Sequence, residues 1–224
     1  MIKIENVDVY GFDTAIRGMR NPMNSWDKSD SYWTYIENPV TGNRAKFEYF
    51  VGDADLALMK SLSKAGNDHG KYLRMITVSL DLTAPLYWYK EFDTYKVGTV
   101  ANSCSTMHKI HAKHLTLADF SCEHLEDVFL DCLRETISFI NEARAGIEYA
   151  KKEKEPLVSS EDYWWQMIQL LPTSYNQRRT ILLNYQVLKN MYHSRKNHKL
   201  DEWRTFCEWI ETLPYSELIC GGVE

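Results

Sequence analysis

The chain has 224 residues, 44% of them hydrophobic and 25% charged, which is enough to bury a full core in one domain and ordinary for a globular protein. Its 26 Lys+Arg against 31 Asp+Glu leave a formal charge of −5, which excludes a general basic field for holding nucleic acid by its phosphates but leaves room for small anions at local sites. Aromatic residues reach 13%, with 14 Tyr and 7 Trp, a supply that suits a large core, a subunit interface or a stacking pocket for a planar ligand.

Ile2, Ile4, Val7 and Val9 alternate with polar residues and predict an opening strand rather than a signal peptide. "DTAIRGMR" follows as a short helix with Asp13 as its cap. From Asn21 to Arg44 the chain is rich in Asn, Asp, Ser, Pro and Gly and reads as a long surface excursion, the kind of segment that often carries function. "DADLALMKSLSKAG" predicts a helix capped by Asp53 or Asp55, with Leu56, Met59, Leu62 and Ala65 on one face and Gly66 at its end. "KYLRMITVSLDLTAP" alternates as a strand closed by Pro85, and the aromatic "LYWYKEF" is the next short helix.

The longest helical pattern runs from about Cys122 to Lys154, with Leu125, Val128, Phe129, Cys132, Leu133, Thr136, Ile137, Ile140, Ala143 and Ile147 on one broad stripe. Pro156 stops its charged end, and "SSEDYWW" restarts a helix with serine caps and acids in the first turn. "LPTSYNQRRTILLNYQVLKNMYHSRK" and "KLDEWRTFCEWIETLP" read as two more helices. These elements predict an α+β fold, one domain over residues 1–224 with a small antiparallel sheet and several long helices. No stretch approaches the ~20 apolar residues of a membrane span. Five scattered cysteines (Cys104, Cys122, Cys132, Cys207, Cys220) without a CxxC pair point to free thiols and a cytoplasmic location.

The richest stretch is "FDTYKVGTVANSCSTMHKIHAKH", Phe92 to His114. His108, His111 and His114 lie three apart, a spacing that converges on one point in neither a helix nor a strand, and they lack the HExxH or paired-Cys patterns of metal sites. No metal is expected, and surface or interface histidines are the simpler reading. Cys104 and His108 stand at helical spacing, but a nucleophilic thiolate also needs an activating base and an oxyanion donor. "KVGTVANSCST" has a different character. Gly98 permits close backbone approach, Thr99, Ser103, Ser105 and Thr106 supply hydroxyls and Lys96 a positive charge, which together suit an anion cradle.

Three segments together resemble the flavin-dependent thymidylate synthase (ThyX) family. "HGKYLRMITVSLDLTAPLYWYKEF" is similar to the family's strand that starts at a flavin-contacting histidine and ends in Ala-Pro before an aromatic helix, with His69, Ala84 and Pro85 at those places. The Phe92–His114 stretch stands where the family has its signature RHRxxSxNExSxRY. In the third segment Leu171-Pro172, Asn184, Asn190 and Arg195 keep the spacing of the family's Leu-Pro, two flavin-site asparagines and uracil-contacting arginine. The resemblance spans roughly residues 50 to 210. The signature itself departs from the pattern: RHR is Thr94-Tyr95-Lys96, the first serine is Thr99, Asn-Glu is Ala101-Asn102, the second serine is Cys104 with Ser105 beside it, and Arg-Tyr is Thr106-Met107. The glutamine ahead of the signature is Glu91, and the arginine four residues before the proline of Leu-Pro is Ile168.

The resemblance implies the family's fold and a homotetrameric flavoenzyme with shared active sites, which reductively methylates dUMP or a related pyrimidine nucleotide with methylenetetrahydrofolate, FAD and NADPH. It implies that His69, Thr94, Tyr95, Lys96, Asn184 and Asn190 hold FAD. Glu91, Thr99, Asn102, Cys104, Ser105, Thr106 and Arg195 would hold the nucleotide, with Arg195 the catalytic group that polarises the pyrimidine ring. A phosphate dianion needs positive charge or converging donors, so the lost signature arginines require substitutes, for which Lys96, Arg178 and Arg179 are at hand. The same departures leave two alternatives: altered nucleotide or hydroxymethylating activity, and a non-catalytic flavin- or nucleotide-binding protein. Neither nucleic acid nor membrane is an expected partner.

Overall fold

The computed structural model of the chain describes residues 2–37 and 44–221. In chain order they form β1 (Lys3–Tyr10), α1 (Phe12–Arg20), β2 (Tyr32–Glu37), β3 (Arg44–Phe50), α2 (Asp53–Lys64), β4 (Thr77–Pro85), α3 (Leu86–Phe92), β5 (Val100–Ser103), α4 (Thr106–Lys109), α5 (Asp127–Ala150), α6 (Ser160–Leu170), β6 (Asn176–Asn184), α7 (Tyr185–Arg195), α8 (Asp201–Glu211) and α9 (Glu217–Cys220). Strands β1, β4, β6 and β5 hydrogen-bond in that order, and β2 pairs antiparallel with β3, Tyr32 opposite Phe50 and Trp33 opposite Tyr49. The architecture is α+β. By contact the chain divides into two compact units, one of Met1–Glu5, Asp81–Thr94 and Ala101–Thr180, the other of Asn6–Leu80, Tyr95–Val100 and Ile181–Glu224.

The first unit is organised by α5. Leu133, Ile137, Ile140, Ala143 and Ile147 recur three or four residues apart, so they share a stripe that packs with Ile110, Leu115, Phe120 and Met167. Ile168 joins the edge of the same cluster. Gly146 lets α6 approach closely, since a Cβ there would lie 2.5 Å from the Tyr163 ring. Ser159 caps α6 by accepting from the Asp162 amide at 3.0 Å. The predicted stripe is too long at its start, for Leu125, Val128 and Phe129 are 40%, 71% and 60% exposed. The helix has 24 residues and its neighbour α6 only 11, so the first turns of α5 extend past the element that would cover them.

The predicted helix beginning at Leu171 is instead a strand followed by a helix. Along β6, Gln177, Ile181 and Leu183 are buried while Arg178, Thr180 and Leu182 are exposed, a period of two that outweighs the helix-forming residues in the same stretch. In β4 the same alternation buries Val78, Leu80, Leu82 and Ala84.

The second unit is centred on α7, where Tyr185, Val187, Leu188, Met191 and Tyr192 are all buried and the helix meets α8, α9 and the 3-10 turn Gly70–Arg74. Its buried Lys189 donates to the Ser63 carbonyl at 2.9 Å and to the Ser63 hydroxyl at 2.6 Å, and burial lowers its pKa. The part of the predicted excursion from Asn21 to Ser31 is tied down by Asp55. This carboxylate is fully buried, takes the Arg20 guanidinium at 2.6 Å on one oxygen and the hydroxyls of Ser29 and Ser31, each at 2.6 Å, on the other. Asp30 between those serines accepts from the amides of Ala54 and Asp55 and so caps α2, the role predicted for Asp53 or Asp55. Gly11, not Asp13, stands at the cap of α1. The rest of the excursion enters β2 and β3, whose facing aromatics make a hairpin; residues 38–43 lie outside the described ones.

All five cysteines are free thiols. Burial pushes Cys207 up to about 12 and Cys220 up to about 11, which keeps both protonated and unreactive. No described helix is long and apolar enough to cross a membrane.

Burial alone would raise the Asp55 pKa, but the hydrogen bonds from Ser29, Ser31 and Arg20 and the Arg20 charge outweigh it and hold the group below the ordinary carboxylate range. Its stabilising contribution is therefore complete above the unfolded carboxylate pKa and lost as pH falls through the lower folded value. Asp55→Ala, which strands a buried guanidinium, is expected to cost about 3–5 kcal/mol in denaturant unfolding. Asp55→Asn should flatten the acid limb of the stability–pH curve, and an unchanged acid limb would show that the pair is not what titrates.

Candidate functional site

In the second unit, three segments far apart in sequence meet around the first turns of α7. Asn184 ends β6 and caps α7, its Oδ1 accepting from the Val187 amide at 3.0 Å. The segment Tyr95–Val100 crosses this cap at Gly98, which has φ +82° and whose Cβ, if it had one, would lie 2.7 Å from the Asn184 Nδ2. Only a glycine meets both conditions without strain. One turn on, Gln186 donates to the Asn190 Oδ1 at 3.1 Å and to the Asn67 Oδ1 at 3.4 Å, joining α7 to the loop that leads to His69. His69 itself is exposed at the start of the Gly70–Arg74 turn.

Arg195, in the last turn of α7, is half-buried. Its Nε donates to the Tyr95 hydroxyl at 3.1 Å, and its guanidinium carbon lies 5.1 Å from the centre of the Trp203 ring and 5.8 Å from that of Tyr95. The Tyr95 hydroxyl and the two aromatic rings help to hold the side chain in place, at modest energetic gain each. Lys96 is exposed next to Tyr95. The Thr99 Oγ1 is buried without a hydrogen-bond partner among the described residues, and such an orphaned hydroxyl marks a place where a partner fits.

The remaining candidates lie in the first unit. Glu91 is half-buried on α3, and its carbonyl accepts from the Thr94 hydroxyl at 2.7 Å. Asn102 is exposed on β5. Cys104 is held by its backbone, donating to the Arg178 carbonyl at 2.9 Å and accepting from the Gln177 amide at 2.8 Å. Ser105 caps α4 by accepting from the His108 amide, and Thr106 opens that helix. Cys104 and Ser105 line a cavity of about 770 Å³ together with Lys109, Lys113, Asn176 and Arg178. Lys113 is paired with Asp119, and Arg178 with Asp81 at 2.7 Å. Arg179 is committed elsewhere, to Asp93 at 2.7 Å and Gln177 at 3.0 Å, with its guanidinium 3.7 Å above the Tyr89 ring.

Several contributors escaped the sequence reading. Trp203, Gln186 and Asn67 looked like ordinary members of amphipathic or polar stretches, and their roles arise only from tertiary contact. Lys109 and Lys113 were within the quoted stretch, but the histidines around them carried the more conspicuous pattern. Those histidines do not converge, and among the described residues no group of three or more His, Cys, Asp or Glu side chains could hold a metal ion.

No protein-family model matches the chain, and no curated protein matches it. Solved structures do. The thymidylate synthase X (ThyX) from Helicobacter pylori with FAD and dUMP superposes with a TM-score of 0.62 at 15% identity, over 98% of this chain and 97% of that one. A UMP/dUMP methylase, PolB, from Streptomyces cacaoi, bound with 5-Br dUMP, superposes at 0.57 and 14% identity, over 99% of this chain and 95% of that one. The chain has the fold of these two proteins.

Gly98→Ala forces a left-handed residue with a side chain against the Asn184 amide. A loss of about 1–2 kcal/mol is expected from the backbone alone, read in thermal or denaturant unfolding, and an unchanged midpoint would show that the Tyr95–Val100 segment does not rest on α7.

Proposed function

We propose that the chain is a flavin-dependent enzyme of pyrimidine-nucleotide chemistry, which reductively methylates dUMP or a related nucleotide with methylenetetrahydrofolate and NADPH. The observation that carries this reading is the meeting of Gly98, Asn184 and the Asn67–Gln186–Asn190 chain at the start of α7. Three separated segments that resemble the flavin-dependent family thus come together in a fold shared with its solved members.

The donor set fits a flavin. Asn184 and Asn190 both spend their side-chain oxygens on internal hydrogen bonds, which leaves each amide NH₂ as a donor. Flavin carbonyls and a diphosphate are acceptors, so the chemistry is complementary. Asn184, Asn190, His69, Thr94, Tyr95 and Lys96 are assigned to FAD, which when bound supplies the redox chemistry. Arg195, positioned by Tyr95 and Trp203, is assigned to the pyrimidine ring, where a fixed guanidinium stabilises negative charge that develops on a carbonyl oxygen.

In the first unit, the cavity bearing Cys104, Ser105, Lys109, Lys113 and Arg178 is the candidate for a nucleotide phosphate, and Glu91, Asn102 and Thr106 are assigned to the nucleotide side, as is Thr99 of the second unit. A homotetramer with shared sites, in the cytoplasm, belongs to the same proposal. Ile168 lies at the edge of an apolar cluster and serves packing, so no cation stands in its place. That observation bears on how a phosphate is held and not on which base is bound.

The absorbance spectrum of the purified protein with added FAD tests the reading: flavin bands that remain with the protein after gel filtration are expected, and a colourless protein would overturn it. Arg195→Ala should weaken pyrimidine-nucleotide binding about tenfold or more and leave FAD binding within about twofold. Equal effects on both ligands would remove Arg195 from the nucleotide. Rescue of a thymidine-requiring strain separates dUMP methylation from related chemistry.

A further inference from the structure

We propose that the second unit carries a separate binding site for a small organic ammonium ion, in a cavity of about 690 Å³ beside the β2–β3 hairpin. The end of β1, the start of α1, the hairpin and the chain after α8 all line it. None of these residues belongs to the flavin or nucleotide assignments above, so the inference is independent of them.

The walls are aromatic and already arranged. Trp33 and Phe47 stack with ring centres 4.9 Å apart at 10°, and Tyr49 meets Trp33 edge-on at 5.2 Å. Trp33 and Phe47 remain about half exposed, 49% and 51%, so large ring surfaces that a folded chain normally buries are open to solvent here. At the back, Tyr215 is held at φ +53°, its hydroxyl accepts from the Val51 amide at 3.1 Å and its ring meets Phe12 edge-on at 5.1 Å. A non-glycine residue in that conformation persists only where its surroundings determine it, so this wall is rigid.

Charge selects the occupant. Asp13, in the first turn of α1, lines the cavity and acts on Tyr49, and no lysine, arginine or histidine lines it among the described residues. Asp8 and Glu48 line it too, but side chains alternate along a strand, so the Glu48 carboxylate stands on the face of β3 opposite the rings of Phe47 and Tyr49. A phosphate would meet the Asp13 carboxylate. A neutral apolar group would gain the ring surfaces but nothing from the carboxylate. An alkylammonium ion uses both, because aromatic faces attract a cation and a carboxylate adds a field of the same sign. The volume lies in the range of small-ligand pockets.

The test is calorimetric titration of the full chain with choline and, in parallel, with its neutral isostere 3,3-dimethylbutan-1-ol. Choline is expected to bind saturably and at least tenfold more tightly than the alcohol, with affinity falling as salt rises. Asp13→Asn keeps the shape and removes one charge, and Trp33→Ala removes a wall; each should weaken choline at least fivefold, while Trp33→Phe retains most of the affinity. Circular dichroism reports whether each variant folds. Equal binding of choline and the alcohol would make the cavity a plain apolar groove and overturn the proposal. So would the absence of choline binding, or choline affinity unchanged by Asp13→Asn in a folded variant.

Discussion

The contact between Gly98 and the cap of α7 is the constraint around which the second unit's candidate site is arranged. Asn184 has two duties there. Its oxygen closes the first turn of α7, and its amide nitrogen faces a backbone that only glycine allows so near. With the Tyr95–Val100 segment anchored in this way, Tyr95 can reach Arg195 in the last turn of the same helix. An α-helix of 11 residues spans about 16 Å. The segment therefore engages both ends of α7, and a shift at one end would be felt at the other.

A second constraint works where no chemistry is proposed. Asp55 and Arg20 are both buried, and such a pair costs desolvation that Coulomb attraction alone repays poorly. The remedy is saturation: two serine hydroxyls share the carboxylate with the guanidinium, and Asp30 occupies the amides at the head of α2. Breaking any member leaves the others unsatisfied in a low-dielectric place. This is why the residues from Asn21 to Ser31, polar enough to read as a free loop, are ordered, and why the hairpin that follows starts from a fixed point.

What the sequence made legible follows the range of the interactions. Period and composition revealed β1, β4, α2, α3, the body of α5, α6 and α8, because their cause is local: one face of a helix, alternate residues of a strand. Local reasoning failed at β6, where Arg178, Arg179 and Thr180 interrupt the apolar pattern and the Leu-Leu-Asn-Tyr run beyond them suggests a helix. It failed again at Leu125, Val128 and Phe129, which are as apolar as the covered residues of α5 but remain 40% to 71% exposed. Of the candidate site, the resemblance supplied Asn184, Asn190, Arg195 and His69, and composition pointed to Gly98. Trp203 beside Arg195 and Gln186 between two asparagines depend on folding to bring them there.

The residues of the Phe92–His114 stretch have their own physical logic. The Tyr95 hydroxyl accepts from Arg195 at 3.1 Å. An imidazolium in that place would repel the guanidinium, whereas a phenol offers an acceptor and a ring face at no charge cost. In the first unit the available arginines are largely spoken for, Arg179 by Asp93 and Gln177 and Arg178 by Asp81. The other cations lining that cavity are Lys3, Lys109 and Lys113, with Lys3 shared with Glu5 and Lys113 with Asp119, and Glu123 lines it too. Lysine attracts an anion as a point charge and does not dictate its orientation as a bidentate arginine does. A phosphate in that cavity would therefore be held with less geometric demand than by a bidentate arginine.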